Sequence, residues 1–242
     1  MPTWVTGGDF GTITRHTTSR HEGDFAIGAE PDALAERRRR LADHPWVWLR
    51  QVHGADVVVV TADNTVRAPG SEADALVTAE AGVVLAVQTA DCMPVTFDSP
   101  EGVIGVAHAG WRGLEAGVIE ATVSAMADLG ASRVAYQVGP YIGPECYEFG
   151  SADLDRLAGT FGDGVRATTG DGRAALDLGA LAEVVLDRTR TILPAQARPG
   201  GLTRPCTAHD AEQWFSHRAR GEAERMATVI WRDNGLVAVS SA

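Results

Sequence analysis

The sequence predicts one α/β domain, rich in sheet, with strands running in mixed directions. Three observations carry this expectation. Short β-branched and apolar runs crowd the middle of the chain, stretches with helical spacing flank and follow them, and 242 residues with 45% hydrophobic side chains suffice for one large core. No internal repeat, low-complexity tract or linker divides the chain, so residues 1–242 are expected to form a single domain.

The segment up to about Gly28 alternates threonine with apolar positions and predicts strands with loops. Pro31 then opens a helix, PDALAERRRRLADH, with proline in its first turn and acidic residues early, where the helix dipole favours them. Its basic run, Arg37 to Arg40, is expected to be a solvated face. WVWLRQV, DVVVVTA, DALVT, VVLAVQT, PVTFD and GVIGVAH follow as short strands separated by Gly, Pro, Asp or Asn. LEAGVIEATVSAMADLG has helical spacing and stops at Gly130. A strand, RVAYQVGP, precedes a Gly- and Asp-rich segment, and LGALAEVVLDRTRTIL predicts a further helix. MATVIWR and LVAVS are expected to pair across an Asn234-Gly235 turn.

Composition excludes several classes of function. No apolar run approaches the roughly 18 to 20 residues that span a bilayer, and the first residues lack a basic stretch followed by an apolar one, so a cytoplasmic protein is expected. Cys92, Cys146 and Cys206 are odd in number and show no CxxC spacing, which predicts reduced thiols. A formal net charge of −11 opposes nucleic acid and anionic membrane as partners and favours a small-molecule substrate. All 21 basic residues are arginine, which excludes lysine Schiff-base chemistry and a P-loop lysine.

Three borderline or soft metal ligands stand at equivalent places: His53 ends WVWLRQVH, Cys92 follows VVLAVQTAD, and His108 ends GVIGVAH. Ends of neighbouring strands converge in space, and two histidines with a cysteine leave the fourth position of a tetrahedral Zn²⁺ open, as a catalytic site requires. His108 also opens HAGWRGLEAGV, in which a helix is expected to begin near Gly113, with Arg112 placed to fork onto an anion. Arg50 and Gln51, at the end of the His53 strand, offer an alternative anion site. Asp91 is read either as orienting a ligand histidine or moving a proton, or as a turn aspartate. Cys206 and His209 in PCTAHD are read as a strand end and turn, His217 and Arg218 as a loop or a substrate contact, and His16, His21 and His44 as surface residues.

QVHGADV, ADALVT, VVLAVQTADCMPV, GVAHAGWRGLEAGVIEATV, GPYIGPECYEFG and FSHRARGEAERMATVIW resemble, in order and spacing, the YfiH/PgeF family. That family was once labelled polyphenol oxidase or laccase-domain and is now regarded as purine nucleoside phosphorylases with adenosine deaminase activity. The resemblance runs from about Trp46 to Trp231. It implies a layered α/β/β/α fold with mixed sheets, similar to the catalytic domain of cytotoxic necrotizing factor toxins. It also implies zinc, with copper as an alternative, on His53, Cys92 and His108. Adenosine, inosine and methylthioadenosine become the expected substrates, with phosphate as co-substrate and Arg218 among the substrate contacts. The chain departs from the family at Asp24-Phe25-Ala26-Ile27-Gly28, where many relatives carry Ser-Leu-Asn-Leu-Gly, at Glu145-Cys146-Tyr147, and at Ser216-His217-Arg218.

Two other functions compete. Cys92 as nucleophile with His108 as base would make an amide hydrolase, which suits editing of peptidoglycan precursors. A copper-dependent polyphenol oxidase would need several copper ions, and no paired HxH segments supply their ligands. The sequence leaves the oligomeric state open.

Overall fold

The structure, a computed structural model, describes residues 3–8, 10–197 and 205–234. The chain opens with β1 (Trp4–Gly8) and β2 (Gly11–Thr17), followed by α1 (Pro31–Leu41). A run of strands comes next: β3 (Trp46–Arg50), β4 (Val57–Val60), β5 (Ser71–Glu72), β6 (Ala75–Thr78), β7 (Val84–Thr89), β8 (Met93–Asp98) and β9 (Ile104–Ala109). Then follow α2 (Trp111–Ala116), α3 (Val118–Asp128), β10 (Val134–Val138), α4 (Ser151–Phe161), β11 (Arg166–Thr168), β12 (Ala174–Leu176) and α5 (Leu178–Arg188). β13 (Ala195–Ala197), α6 (His217–Arg220) and β14 (Met226–Asp233) complete the described elements.

Two six-stranded sheets form the body, ordered β1-β2-β14-β7-β3-β5 and β13-β10-β8-β9-β6-β4. Directions are mixed in both: β3 runs parallel to β7 and β5, β4 to β6 and β10 to β13, while the other neighbours are antiparallel. The sheets stack through Val47, Leu49, Leu85 and Ile230 of the first against Leu76, Ile104 and Val106 of the second. Helices α3 and α5 cover the outer face of the second sheet, where Ile119, Val123, Leu181 and Val185 pack on Val95, Phe97 and Ala107. On the other side Leu34 of α1 packs on Trp46, Val84 and Val229. The layers are therefore α/β/β/α. Because both faces of β7 are covered, all six of its residues are buried, and it reads in sequence as a continuous apolar run rather than an alternation. A buried ion pair, Arg15 with Asp98, ties β2 of the first sheet to β8 of the second.

The elements follow the expected order with local differences. α1 starts at Pro31 as predicted, and the Glu30 side chain caps it by accepting the N–H groups of Asp32 and Ala33. Its basic run is only half solvated: Arg39 and Arg40 pair with Glu36, but the Arg38 guanidinium lies 3.8 Å from the Trp48 ring centroid and Arg37 donates to the Asp24 carbonyl. The helix expected near Gly113 begins earlier, at Trp111, and is broken by Gly117 at φ 91°, so α2 and α3 are two helices rather than one. α4 stands where a Gly- and Asp-rich segment was read without structure; Leu154, Leu157, Ala158 and Phe161 form its buried face. His16 is buried and bonded to Glu22, not a surface residue. The expected LVAVS strand and its Asn234-Gly235 turn extend outside the described residues.

Candidate functional site

β3 and β7 are parallel neighbours in the first sheet, so their C-terminal ends lie side by side, and just beyond β7 the chain crosses to β8 of the second sheet. His53 follows β3 by three residues, Cys92 sits in the short crossing from β7 to β8, and His108 lies near the end of β9. These three side chains meet: one ligand atom from each lies within 4.8 Å of the others. Cys92 Sγ is 3.7 Å from His53 Nε2, and the two imidazole centroids are 4.8 Å apart, nearly perpendicular. A tetrahedral zinc with sulfur at about 2.3 Å and nitrogen at about 2.0 Å sets those atoms about 3.5 Å apart, close to the Cys92–His53 separation.

The backbone here is held in an uncommon form. His53 has φ 61° and Asp91 has φ 101°, conformations that cost a non-glycine residue of the order of 1–3 kcal/mol unless the surroundings impose them. Asp74 imposes the first. Fully buried, its carboxylate accepts the N–H groups of Val52, His53 and Gly54 at 3.2, 3.0 and 2.7 Å. It also lies 2.8 Å from His108 Nδ1, which turns Nε2 of that ring toward Cys92. Such a carboxylate behind a ligand imidazole is the usual support of a metal site. Gly110 leaves the room the site needs, because a Cβ there would lie 2.9 Å from His53 Cδ2 and 3.1 Å from Cys92 Sγ.

Electrostatics mark the cluster as a place for charge. Burial raises the Cys92 thiol, but the facing charge of His108 and hydrogen bonds from both histidines outweigh it and bring the thiol down to about 6. Burial lowers His108, yet the Cys92 charge and the bond to Asp74 carry it up to about 9. The metal-free site is therefore a thiolate facing an imidazolium. Cys146 is the opposite case, pushed up to about 12 by burial and by Cys206.

A cleft of about 780 Å³ opens over the cluster, within the range of small-molecule sites. Arg50, Gln51, Arg112 and Arg218 all line it, as do Trp111, Tyr147, His217 and Arg225. Their roles differ. The Gln51 amide is bonded on both sides to the backbone of Gln88, so it extends the β3–β7 pairing rather than facing the cleft with a free group. Arg50 pairs with Glu72. Arg112 is exposed, lies 4.1 Å over the Trp111 ring, and has no carboxylate partner among the described residues. Arg218 reaches the Glu148 carbonyl and lies over the Tyr147 ring. Burial holds the Tyr147 phenol well above its ordinary value, which keeps it a proton donor. Asp91 does not touch the histidines: its carboxylate accepts from Thr207 Oγ1 and the Arg218 N–H, both at 2.6 Å, and so anchors the segment that carries Arg218. Asp74, within the ADALVT block, is the carboxylate on His108, and sequence reasoning did not single it out. Asp24, Ala26, Ile27 and Gly28 of the divergent N-terminal segment also line the cleft.

A layered α/β/β/α domain with a His-Cys-His cluster under an arginine-lined cleft defines an enzyme-like class, and the comparisons narrow it. The family described as multi-copper polyphenol oxidoreductase laccase matches residues 10–233. The chain is 38% identical over 217 residues to a purine nucleoside phosphorylase of Streptomyces coelicolor, covering 86% of each chain. It is 37% identical over 212 residues to the purine nucleoside phosphorylase YfiH of Escherichia coli K12, covering 84% of this chain and 83% of that one. Among solved structures, a Neisseria meningitidis protein superposes with a TM-score of 0.77 at 28% identity, covering 97% of this chain and 100% of the other. YlmD from Geobacillus stearothermophilus superposes with a TM-score of 0.71 at 30% identity, covering 93% and 92%. The chain belongs to this YfiH-type, laccase-domain family, whose named relatives are enzymes.

Proposed function

We propose that the chain is a zinc-dependent purine nucleoside phosphorylase acting on adenosine, inosine and methylthioadenosine, with adenosine deamination as a second reaction. One observation carries this reading: the His53–Cys92–His108 cluster forms the floor of a cleft whose walls combine aromatic rings with arginines. The names of the relatives support it. In phosphorolysis a phosphate oxygen bonds to ribose C1′, the bond from C1′ to the purine nitrogen breaks, and the purine departs with that electron pair and takes up a proton. Arg112 and Arg218 bind and orient the phosphate dianion, while the Trp111 and Tyr147 rings pack the base and exclude water. His53, Cys92 and His108 would hold the ion, with Asp74 fixing the His108 tautomer. When bound, such an ion supplies Lewis-acid polarisation of a substrate atom. Free substrates, reduced thiols and the acidic surface suit a cytoplasmic enzyme that binds no nucleic acid; no described helix is long and apolar enough to cross a membrane.

The test is a nucleoside panel with metal-replete protein, with and without phosphate. Free base should appear only with phosphate, and deamination of adenosine should proceed without it. Turnover of no nucleoside under either condition refutes the reading.

A second reading is favoured by one feature of the same site. Cys92, His108 and Asp74 line up as thiolate, imidazolium and orienting carboxylate, the arrangement of a cysteine hydrolase acting on amides. Chelation separates the two, since it would silence the phosphorylase and leave a cysteine hydrolase active. Copper on the same His-Cys-His set is a third option, decided by elemental analysis.

A further inference from the structure

A second group of metal-ligating side chains lies outside the site just described. Glu145, Cys146, Cys206 and His209 each offer an atom within 4.8 Å of the others. Cys146 Sγ is 3.3 Å from His209 Nε2, close to the roughly 3.5 Å edge expected between sulfur and nitrogen on one tetrahedral ion. His209 Nδ1 lies 3.2 Å from Glu145 Oε1, so the carboxylate stands against the same imidazole as the sulfur. The Gly143 N–H donates to Cys206 Sγ at 3.1 Å, which fixes that sulfur beside the turn carrying Glu145 and Cys146. Gly143 also leaves room for the cluster: a Cβ there would fall 2.3 Å from Glu145 Oε1 and push that carboxylate aside.

The geometry points to a second transition-metal site of the zinc class, held by the Cys146 and Cys206 thiolates, the His209 imidazole and the Glu145 carboxylate. Four protein ligands, two of them soft, close the coordination sphere, which marks the site as structural rather than catalytic. Its place explains what it would do. The turn Pro144–Cys146 follows β10, whereas Cys206 to His209 arrive some 60 residues later and are otherwise joined to it by the Tyr141–Cys206 bridge and the Thr207 N–H bond to the Tyr141 carbonyl. An ion would staple these segments. Thr207, inside the staple, holds Asp91 next to Cys92, so the clamp stiffens the wall of the cleft without touching substrate.

The test counts metal in untagged protein purified without added zinc. Wild type should hold two equivalents, His53→Ala one, Cys146→Ser one, and the double variant none. His209→Gln, at an exposed position, should also lose one, which guards against a Cys146→Ser protein that fails to fold. In cobalt-loaded protein the thiolate-to-cobalt absorption should fall in Cys146→Ser while the part that depends on Cys92 persists. Loss of this ion should lower the thermal midpoint by about 5 °C or more. A single equivalent that disappears with His53→Ala and is untouched by Cys146→Ser overturns this site and leaves the first intact. A single equivalent with the reverse behaviour overturns the first and leaves this one. A Cys146–Cys206 disulfide in protein mapped without reductant overturns it as well.

Discussion

Asp74 Oδ1 lies 2.8 Å from His108 Nδ1, and the other oxygen of that carboxylate accepts the Gly54 N–H at 2.7 Å. One buried charge thus sets both the orientation of the His108 ring and the path of the loop that carries His53. Replacing it with asparagine leaves one acceptor atom where four donors converge, and each buried donor left unpaired costs of the order of 1–3 kcal/mol. Asp74→Asn should weaken zinc binding about 10–100-fold in a chelator competition and lower the thermal midpoint. Unchanged affinity would remove Asp74 from the support of the site.

The same residue makes a prediction in pH. Burial raises the Asp74 carboxyl, but bonds from His108 and Gly54 and the charge of His108 outweigh it, so its folded value lies below the ordinary 3.8. The folded state then binds this proton less tightly than the unfolded state. The resulting stability is complete above pH 3.8 and drains as pH falls through the lowered value. In urea titrations of metal-free protein, the gap between wild type and Asp74→Asn should be wide at neutral pH and narrow in acid. A gap that stays constant contradicts this.

Gly110→Ala separates site from fold. Its φ of −73° and ψ of 165° suit alanine, so the backbone is not strained, but the new methyl meets His53 and Cys92 at the distances given above. Metal affinity should drop about tenfold or more, in line with the loss of other supporting positions, while the thermal midpoint of the metal-free protein barely moves. Equal affinity in both proteins would mean that His53 does not sit where it ligates.

Cys92 should report its own environment. After chelation its alkylation should be half-maximal near pH 6, against about 9 for an ordinary thiol, and peptide mapping will separate it from Cys146, held up near 12. His108→Gln removes the largest lowering influence and leaves burial opposed only by His53, so the midpoint should rise well above 6. Zinc should protect the thiol at every pH where it binds. Fast alkylation of zinc-loaded protein that retains full activity would favour the cysteine hydrolase.

Arg112 has no ion-pair partner to lose among the described residues, and its stacking on Trp111 is worth under about 1 kcal/mol at an exposed position. Arg112→Ala should therefore fold normally and keep its metal. Its KM for phosphate should rise at least about tenfold, the worth of one charge-assisted contact. If phosphate KM is unchanged, Arg218 and Arg225 carry the anion instead.

The strands were legible because VVLAVQT and its neighbours are short, rich in β-branched residues and bounded by Gly, Pro, Asp or Asn, which favours a buried strand over a helix. α4 was not, although Leu154, Leu157, Ala158 and Phe161 carry helical spacing, because Gly150, Gly159 and Gly162 around them favour a loop reading. The cluster of His53, Cys92 and His108 was visible as three residues at strand ends. Asp74 was not visible, since an aspartate before a strand usually marks a turn and only the packing of β6 against β9 brings it to His108. Cys146 and Cys206 stand 60 positions apart, and nothing in their spacing reveals a meeting that β10 and a distant turn arrange.

Because His53 follows β3 and Cys92 follows β7 of one sheet, while His108 lies in β9 of the other, the three side chains meet only once the two sheets have docked. Contacts so distant along the chain form late in folding, after the hairpins and helices that need only their neighbours. An ion held by these three residues would therefore be taken up only by the docked fold. A chain with correct secondary structure but slipped sheets would not bring the three side chains together, so uptake of an ion there would report that the sandwich has closed.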